Sequence, residues 1–235
     1  MEQLILELAP SPLPTFDSFA PGVNRAAVAA LRALASGGGS DRSIYLWGEP
    51  GSGRSHLLEA TVHAMRERGC IALLLRSGHE LERASADAGL IAIDDIDSLD
   101  AGEQISAFDL FNSILARGAA LVAAGSAPPQ RLAVREDLRT RLASGLAFEL
   151  TPLSDAEKRA TLRRHAAARG MALTDDVLSY LLTRLRRDLG TQLAVLDALD
   201  RYSLAQKRAV TLPLVRDALD ALDLQRPQRP DSTRR

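Results

Sequence analysis

The chain has 235 residues, of which 46% are hydrophobic. That is enough to bury a core without covalent or metal staples, and it suits one α/β domain with a smaller satellite. A formal net charge of −1 and a pI near 6.4 exclude a basic field over the whole molecule, so any contact with nucleic acid is local or borrowed from a partner.

Residues 3–8 form a short apolar patch, and Pro10, Pro12 and Pro14 follow it, so residues 1–15 read as a tethered tail. Glu2 and the lack of a basic leader argue against a secretory signal. The apolar runs at 71–75 and 90–93 are too short to span a bilayer, so a soluble, cytoplasmic protein with no membrane partner is expected. Residues 24–34 have helical spacing and end at Gly37, Gly38 and Gly39. Strands are expected at 43–47, 71–75, 90–93, 119–124 and 146–150, with helices at 54–68 and 104–116. Continuous apolar strands separated by amphipathic helices imply an α/β fold, a parallel sheet with helices on both faces. Cys70, the single cysteine, rules out an internal disulfide framework. It opens the 71–75 strand and reads as an inert, buried thiol.

Beyond Pro152 the pattern is purely helical, over 155–169, 175–187, 190–205 and 212–222. Ser154 with Glu157 forms a capping box, and Thr174 and Asp175 can cap the next helix. Residues 16–152 thus read as a base domain and 153–224 as a small all-helical lid. Residues 225–235 are polar and Pro-containing, and are expected to be disordered.

Gly48, Glu49, Pro50, Gly51, Ser52, Gly53, Arg54 and Ser55 follow an apolar strand and open a helix, which is the spacing and the context of a phosphate-binding loop. The glycines permit the turn, and backbone N–H groups at a helix N-terminus favour anionic oxygens. Taken alone, the segment could also be a glycine turn that merely links strand to helix. The Ser55 hydroxyl is suited to Mg²⁺. Arg54 departs from the usual Lys, and a planar guanidinium is no substitute for a point charge, so binding survives while efficient hydrolysis is disfavoured. Leu90 to Ile93 is an apolar run ending in Asp94 and Asp95, the arrangement in which one acid orders Mg²⁺ and the other positions an attacking water. The plainer alternative is that Asp94, Asp95 and Asp97 cap the following turn. Together the two motifs point to ADP or ATP with Mg²⁺. His56 and His63 share a helix face with no further ligand at metal spacing, and no nucleophile constellation stands out.

With both motifs placed, Phe16-Asp17-Ser18-Phe19 and Gly22-Val23-Asn24 resemble the adenine-pocket entry of DnaA-related AAA+ proteins, and the likeness runs from about Phe16 to Leu222. Ser126, in Ala123-Ala124-Gly125-Ser126-Ala127-Pro128-Pro129, stands where that family has sensor 1, although an acidic residue is usual there. Leu138-Arg139-Thr140-Arg141-Leu142 resembles the arginine-finger box, and Arg187-Asp188-Leu189 the sensor 2 box of the lid. No basic DNA-reading domain follows the lid, which is similar to the Hda branch of these proteins, and Arg54-Ser55-His56-Leu57-Leu58 resembles the Hda phosphate loop. Gln3, Leu4, Leu6 and Leu8 resemble a sliding-clamp-binding peptide, with Glu7 where Pro is usual. Such a peptide could insert leucines into an apolar groove, or it could be an edge strand of its own domain.

The resemblance implies a regulator of replication initiation. ADP-bound and docked on the DNA-loaded clamp (the polymerase beta subunit), it would present Arg141 as a trans-acting finger to ATP held by DnaA, with no sequence-specific DNA contact of its own. In its own site, Asp95 would support hydrolysis, Ser55 and Asp94 would hold Mg²⁺, and residues 48–56, Asp94, Ser126 and Arg187 would contact nucleotide. Homodimerisation or AAA+-type self-association is left open. The rival readings are a helicase-loading or remodelling ATPase and a non-catalytic, nucleotide-stabilised adaptor.

Overall fold

The apolar runs become one five-stranded, all-parallel sheet in a computed structural model that describes residues 13–76, 78–81, 87–185 and 189–223. Its strands are β1 (Ser43–Trp47), β2 (Ala72–Leu75), β3 (Leu90–Ile93), β4 (Ala120–Gly125) and β5 (Leu146–Glu149), in the order β2-β3-β4-β1-β5. β3 and β4 are buried along their whole length, as strands covered on both faces must be. β5, at an edge, alternates between half-buried and exposed positions.

Side chains alternate across the pleat, and this splits the core in two. On one face Ile44, Leu46, Ala92 and Val122 pack with Leu31 and Leu34 of α1 (Arg25–Ser36) and with Leu57 and Leu58 of α2 (Arg54–Glu67). On the other, Tyr45, Ile91, Ile93 and Leu121 pack with Phe111 and Ile114 of α4 (Ala101–Ala116) and with Leu138 of α5 (Glu136–Ala143). A short α3 (Gly78–Leu81) follows β2. Asp100 and Glu103 form a reciprocal capping box that starts α4 three residues before the apolar periodicity begins. The single-turn helix Ile96–Ser98 and the short α5 are not visible as periodic segments in the sequence; α5 buries only Leu138 and Leu142.

Cys70 corrects the sequence reading: it is exposed and precedes β2. Its N–H bonds back to the Met65 carbonyl in the turn that ends α2, with Gly69 in the left-handed region, so it belongs to a helix terminus and not to the strand.

Leu13–Leu153 forms one compact unit, and the described residues from Ser154 onward form another. The second contains α6 (Asp155–Ala167), α7 (Asp175–Arg184), α8 (Leu189–Gln206) and α9 (Leu212–Asp223) around Leu162, Leu178, Leu181, Leu196, Leu199 and Val215. Ser154 and Glu157 make the expected capping box, and the Thr174 hydroxyl accepts from the Val177 N–H. His165 on α6 lies 2.6 Å from the carboxylate of Asp197 on α8, and Arg169 pairs with the same oxygen at 3.0 Å. Among the described residues no helix is long and apolar enough to cross a membrane.

Candidate functional site

β1 and β3 lie on either side of β4, so the segments that leave their C-terminal ends converge at one edge of the sheet. The chain leaves β1 through Gly48 and enters α2 at Arg54. A Cβ on Gly48 would stand 2.3 Å from the Leu150 carbonyl oxygen, so only glycine lets the loop pass the end of β5. Gly53 caps α2 with φ +98°, and a Cβ there would meet the Phe19 ring at 2.5 Å.

Two polar atoms of this loop, Ser52 Oγ and Arg54 Nη1, are buried without a hydrogen-bond partner among the described residues. Burying such donors unpaired costs about 1–3 kcal/mol each, so they fit an anionic ligand with several acceptor oxygens. The Arg54 side chain is only 13% exposed, and its Nη2 lies 3.6 Å from Asp95 Oδ1. Ser55 and Glu49 are exposed, while Asp94, at the end of β3, is 8% exposed. Its N–H donates to the Leu75 carbonyl, and its carboxylate accepts the Asp95 N–H at 3.1 Å. Asp95 adopts a left-handed conformation, φ 45° and ψ 52°. Partial burial and the neighbouring Asp94 push its carboxyl pKa up, Arg54 opposes that rise, and Asp97 adds to it. Among the described residues no group of three or more His, Cys, Asp or Glu could hold a metal by itself. An ion here would take part of its shell from a ligand or from water, as Mg²⁺ commonly does.

Asp97 has a role that the sequence did not single out. Its carboxylate accepts both the N–H and the hydroxyl of Ser126, just past β4. Beside this pair, Tyr45 Oη donates to the Ala127 carbonyl at 2.8 Å, and a Cβ on Gly125 would collide with that same hydroxyl. Desolvation, with the Asp97 charge second, drives the Tyr45 pKa far above its ordinary value and keeps the phenol protonated.

A short clasp also reaches the loop. His56 Nε2 lies 3.0 Å from the Thr15 carbonyl and 3.2 Å from Ser18 Oγ, and its ring packs against Phe19 with centroids 5.4 Å apart. Burial lowers the His56 pKa, and the contact with Thr15 opposes this. Asn24 exchanges two hydrogen bonds of 2.9 Å with the backbone of Thr151, tying the segment before α1 to the chain just beyond β5.

Residues 155–219 match the protein family described as "Hda, lid domain". The fold is similar to domain III of the replication initiation protein DnaA from Thermotoga maritima, at 22% identity and TM-score 0.70, covering 92% of this chain and 100% of that one. Residues 155–219 thus match an Hda-type lid, and the fold of the chain is that of DnaA domain III. AMPPCP-bound DnaA from Aquifex aeolicus is similar over 86% of this chain and 71% of that one, at 22% identity and TM-score 0.63. A RuvB variant from Thermotoga maritima matches at 15% identity and TM-score 0.62, over 92% and 75% of the two chains.

Within the base unit the fold brings together the loop 48–55, His56, Asp94 and Asp95. Ser126 is engaged by Asp97. Arg141 stands apart on α5: it is exposed and its side chain has no hydrogen bond or ion pair among the described residues, whereas Arg135 is paired with Asp137 at 2.8 Å. Arg187, like Gln3, Leu4, Leu6 and Leu8 of the tail, lies outside the described residues. The clasp left a faint trace in the sequence, two phenylalanines upstream of a histidine that directly follows the loop. The link between Asp97 and Ser126 left none, since it spans 29 residues.

Proposed function

We propose that this AAA+ chain binds an adenine nucleotide, ADP or ATP, at the loop 48–55 and regulates replication initiation by promoting hydrolysis of ATP held by DnaA. The observation that carries the reading is the Hda-type lid over residues 155–219, on a chain whose phosphate loop has buried, unpartnered donors. In this site Ser52 and Arg54 bind phosphate oxygens, Ser55 and Asp94 hold Mg²⁺, and the Asp97–Ser126 pair supplies a polar group at the end of β4. The metal would neutralise phosphate charge.

The regulatory step belongs to α5. An exposed guanidinium with no partner among the described residues is suited to enter another protein's site, where a planar fork stabilises charge on a transferring phosphoryl group. Arg141 is that group, and DnaA supplies the ATP. Docking on the sliding clamp through Gln3, Leu4, Leu6 and Leu8 would raise the local concentration of Arg141 near DnaA without adding contacts to the reaction centre.

Single-turnover hydrolysis of ATP prebound to DnaA is the test, with this protein, clamp and DNA added in turn. Acceleration is expected when all three are present. A chain that binds the clamp and nucleotide yet leaves the DnaA rate at its basal value is an adaptor, and the proposal then fails.

A further inference from the structure

The pairing of Arg54 with Asp95 gives the second acid of the acidic pair a task other than positioning water. Asp95 is 62% exposed at its side chain and has an uncommon left-handed backbone, whereas the arginine it meets is 13% exposed. A non-glycine residue held in that region is sterically disfavoured, so the conformation needs compensation. The 3.6 Å separation is that of an ion pair and is too long for a hydrogen bond. It engages Nη2 and leaves the other terminal nitrogen, Nη1, buried and unpartnered. A guanidinium has two such edges in one rigid plane, and fixing one orients the other.

We propose that Asp95 is a positioning residue for Arg54: it holds one edge of the guanidinium so that the buried edge is pre-set for a nucleotide phosphate. The inference rests on the nucleotide-site reading above and replaces the sequence-based expectation that Asp95 acts on water. Its consequence has the opposite sign to simple electrostatics. Removing a negative charge beside a phosphate site should tighten the binding of an anion, whereas removing a support for the phosphate-binding arginine should weaken it.

The test is calorimetric binding of ADP and of ATP to the full chain and to Asp95→Asn, Arg54→Lys, the double variant and Arg54→Ala. Asn tolerates the left-handed region, so Asp95→Asn preserves the turn, and thermal unfolding without nucleotide checks that it does. Asp95→Asn should weaken both nucleotides by about fivefold, a coupling commonly found between contacting charged groups. In the Arg54→Lys background the same change should have little effect, because an ammonium has no second edge to orient. Unchanged or tighter binding in Asp95→Asn overturns the inference, and so does an equal loss in both backgrounds. If Arg54→Ala leaves ADP and ATP affinity untouched, the nucleotide-site reading itself fails, an outcome distinct from the other two.

Discussion

Arg54 and Arg141 lie in the same folded unit and occupy opposite environments. Arg54 is nearly buried, paired with Asp95, and carries a nitrogen that no other described group satisfies. Arg141 is on an exposed face of α5 and has no partner among the described residues. A buried guanidinium is retained only where something satisfies it, so Arg54 is suited to a site that a bound anion completes. An exposed one costs nothing in the free protein and gains its partner on association, so Arg141 is suited to a site in another molecule.

The largest effect should come from the exposed member. Arg141→Ala is expected to lower stimulation of DnaA-bound ATP hydrolysis by a factor on the order of 10³, while ADP affinity and melting temperature stay unchanged. Single-turnover kinetics beside calorimetry measures both, and lost ADP affinity in Arg141→Ala would break the comparison. Arg139→Ala is the control, since that side chain is half-buried on the same helix.

On the buried side, Gly53→Ala should destabilise the fold by about 2–3 kcal/mol, because the new methyl meets the Phe19 ring and φ is +98°. Urea denaturation reads the change, and Phe19→Ala in the same chain should restore part of it. Full stability in Gly53→Ala would show that the clasp does not press on the loop. Asn24→Ala strands both backbone groups of Thr151 and should cost about 2 kcal/mol in the same assay, with no effect on the Arg141 step.

The smallest effect is a pH dependence. His56 has a folded pKa below its ordinary 6.5, so the unfolded chain takes up the proton first as pH falls. Its contribution to stability is therefore complete above about 6.5 and is lost as pH drops through the lower, folded value. His56→Gln should flatten this part of the stability curve, measured by denaturation at a series of pH values. An unaltered slope would assign the dependence to another group.

Much of the scaffold is legible from residue order, for local reasons. Runs such as Leu90–Ile93 are apolar at every position because both faces of β3 are covered, and Ser154 with Glu157 announces a helix start by chemistry confined to four residues. The boundaries that moved are those where a terminus, not a periodicity, decides: Cys70 went to the turn after α2, and Asp100 starts α4 early. The helix carrying Arg141 shows only Leu138 and Leu142 as buried anchors, too few to reveal a period. Within the site, the loop and the two aspartates can be read as motifs. The pairing of Arg54 with Asp95 cannot, because it spans 41 residues and depends on the local backbone of Asp95.

The strand order has a consequence for biosynthesis. β1 delivers the loop, yet its two neighbours in the sheet are β4 and β5, which are made much later. The loop leaves the ribosome well before Ala120–Gly125 and Leu146–Glu149 exist. At about 5–20 residues per second, the wait is on the order of ten seconds. Until then Gly48 has no Leu150 carbonyl to pass, and Asp94 lies beside an unfinished sheet. On the proposed nucleotide site, capture is thus a late, post-assembly event, and a ribosome-bound chain truncated before β5 should not retain ADP.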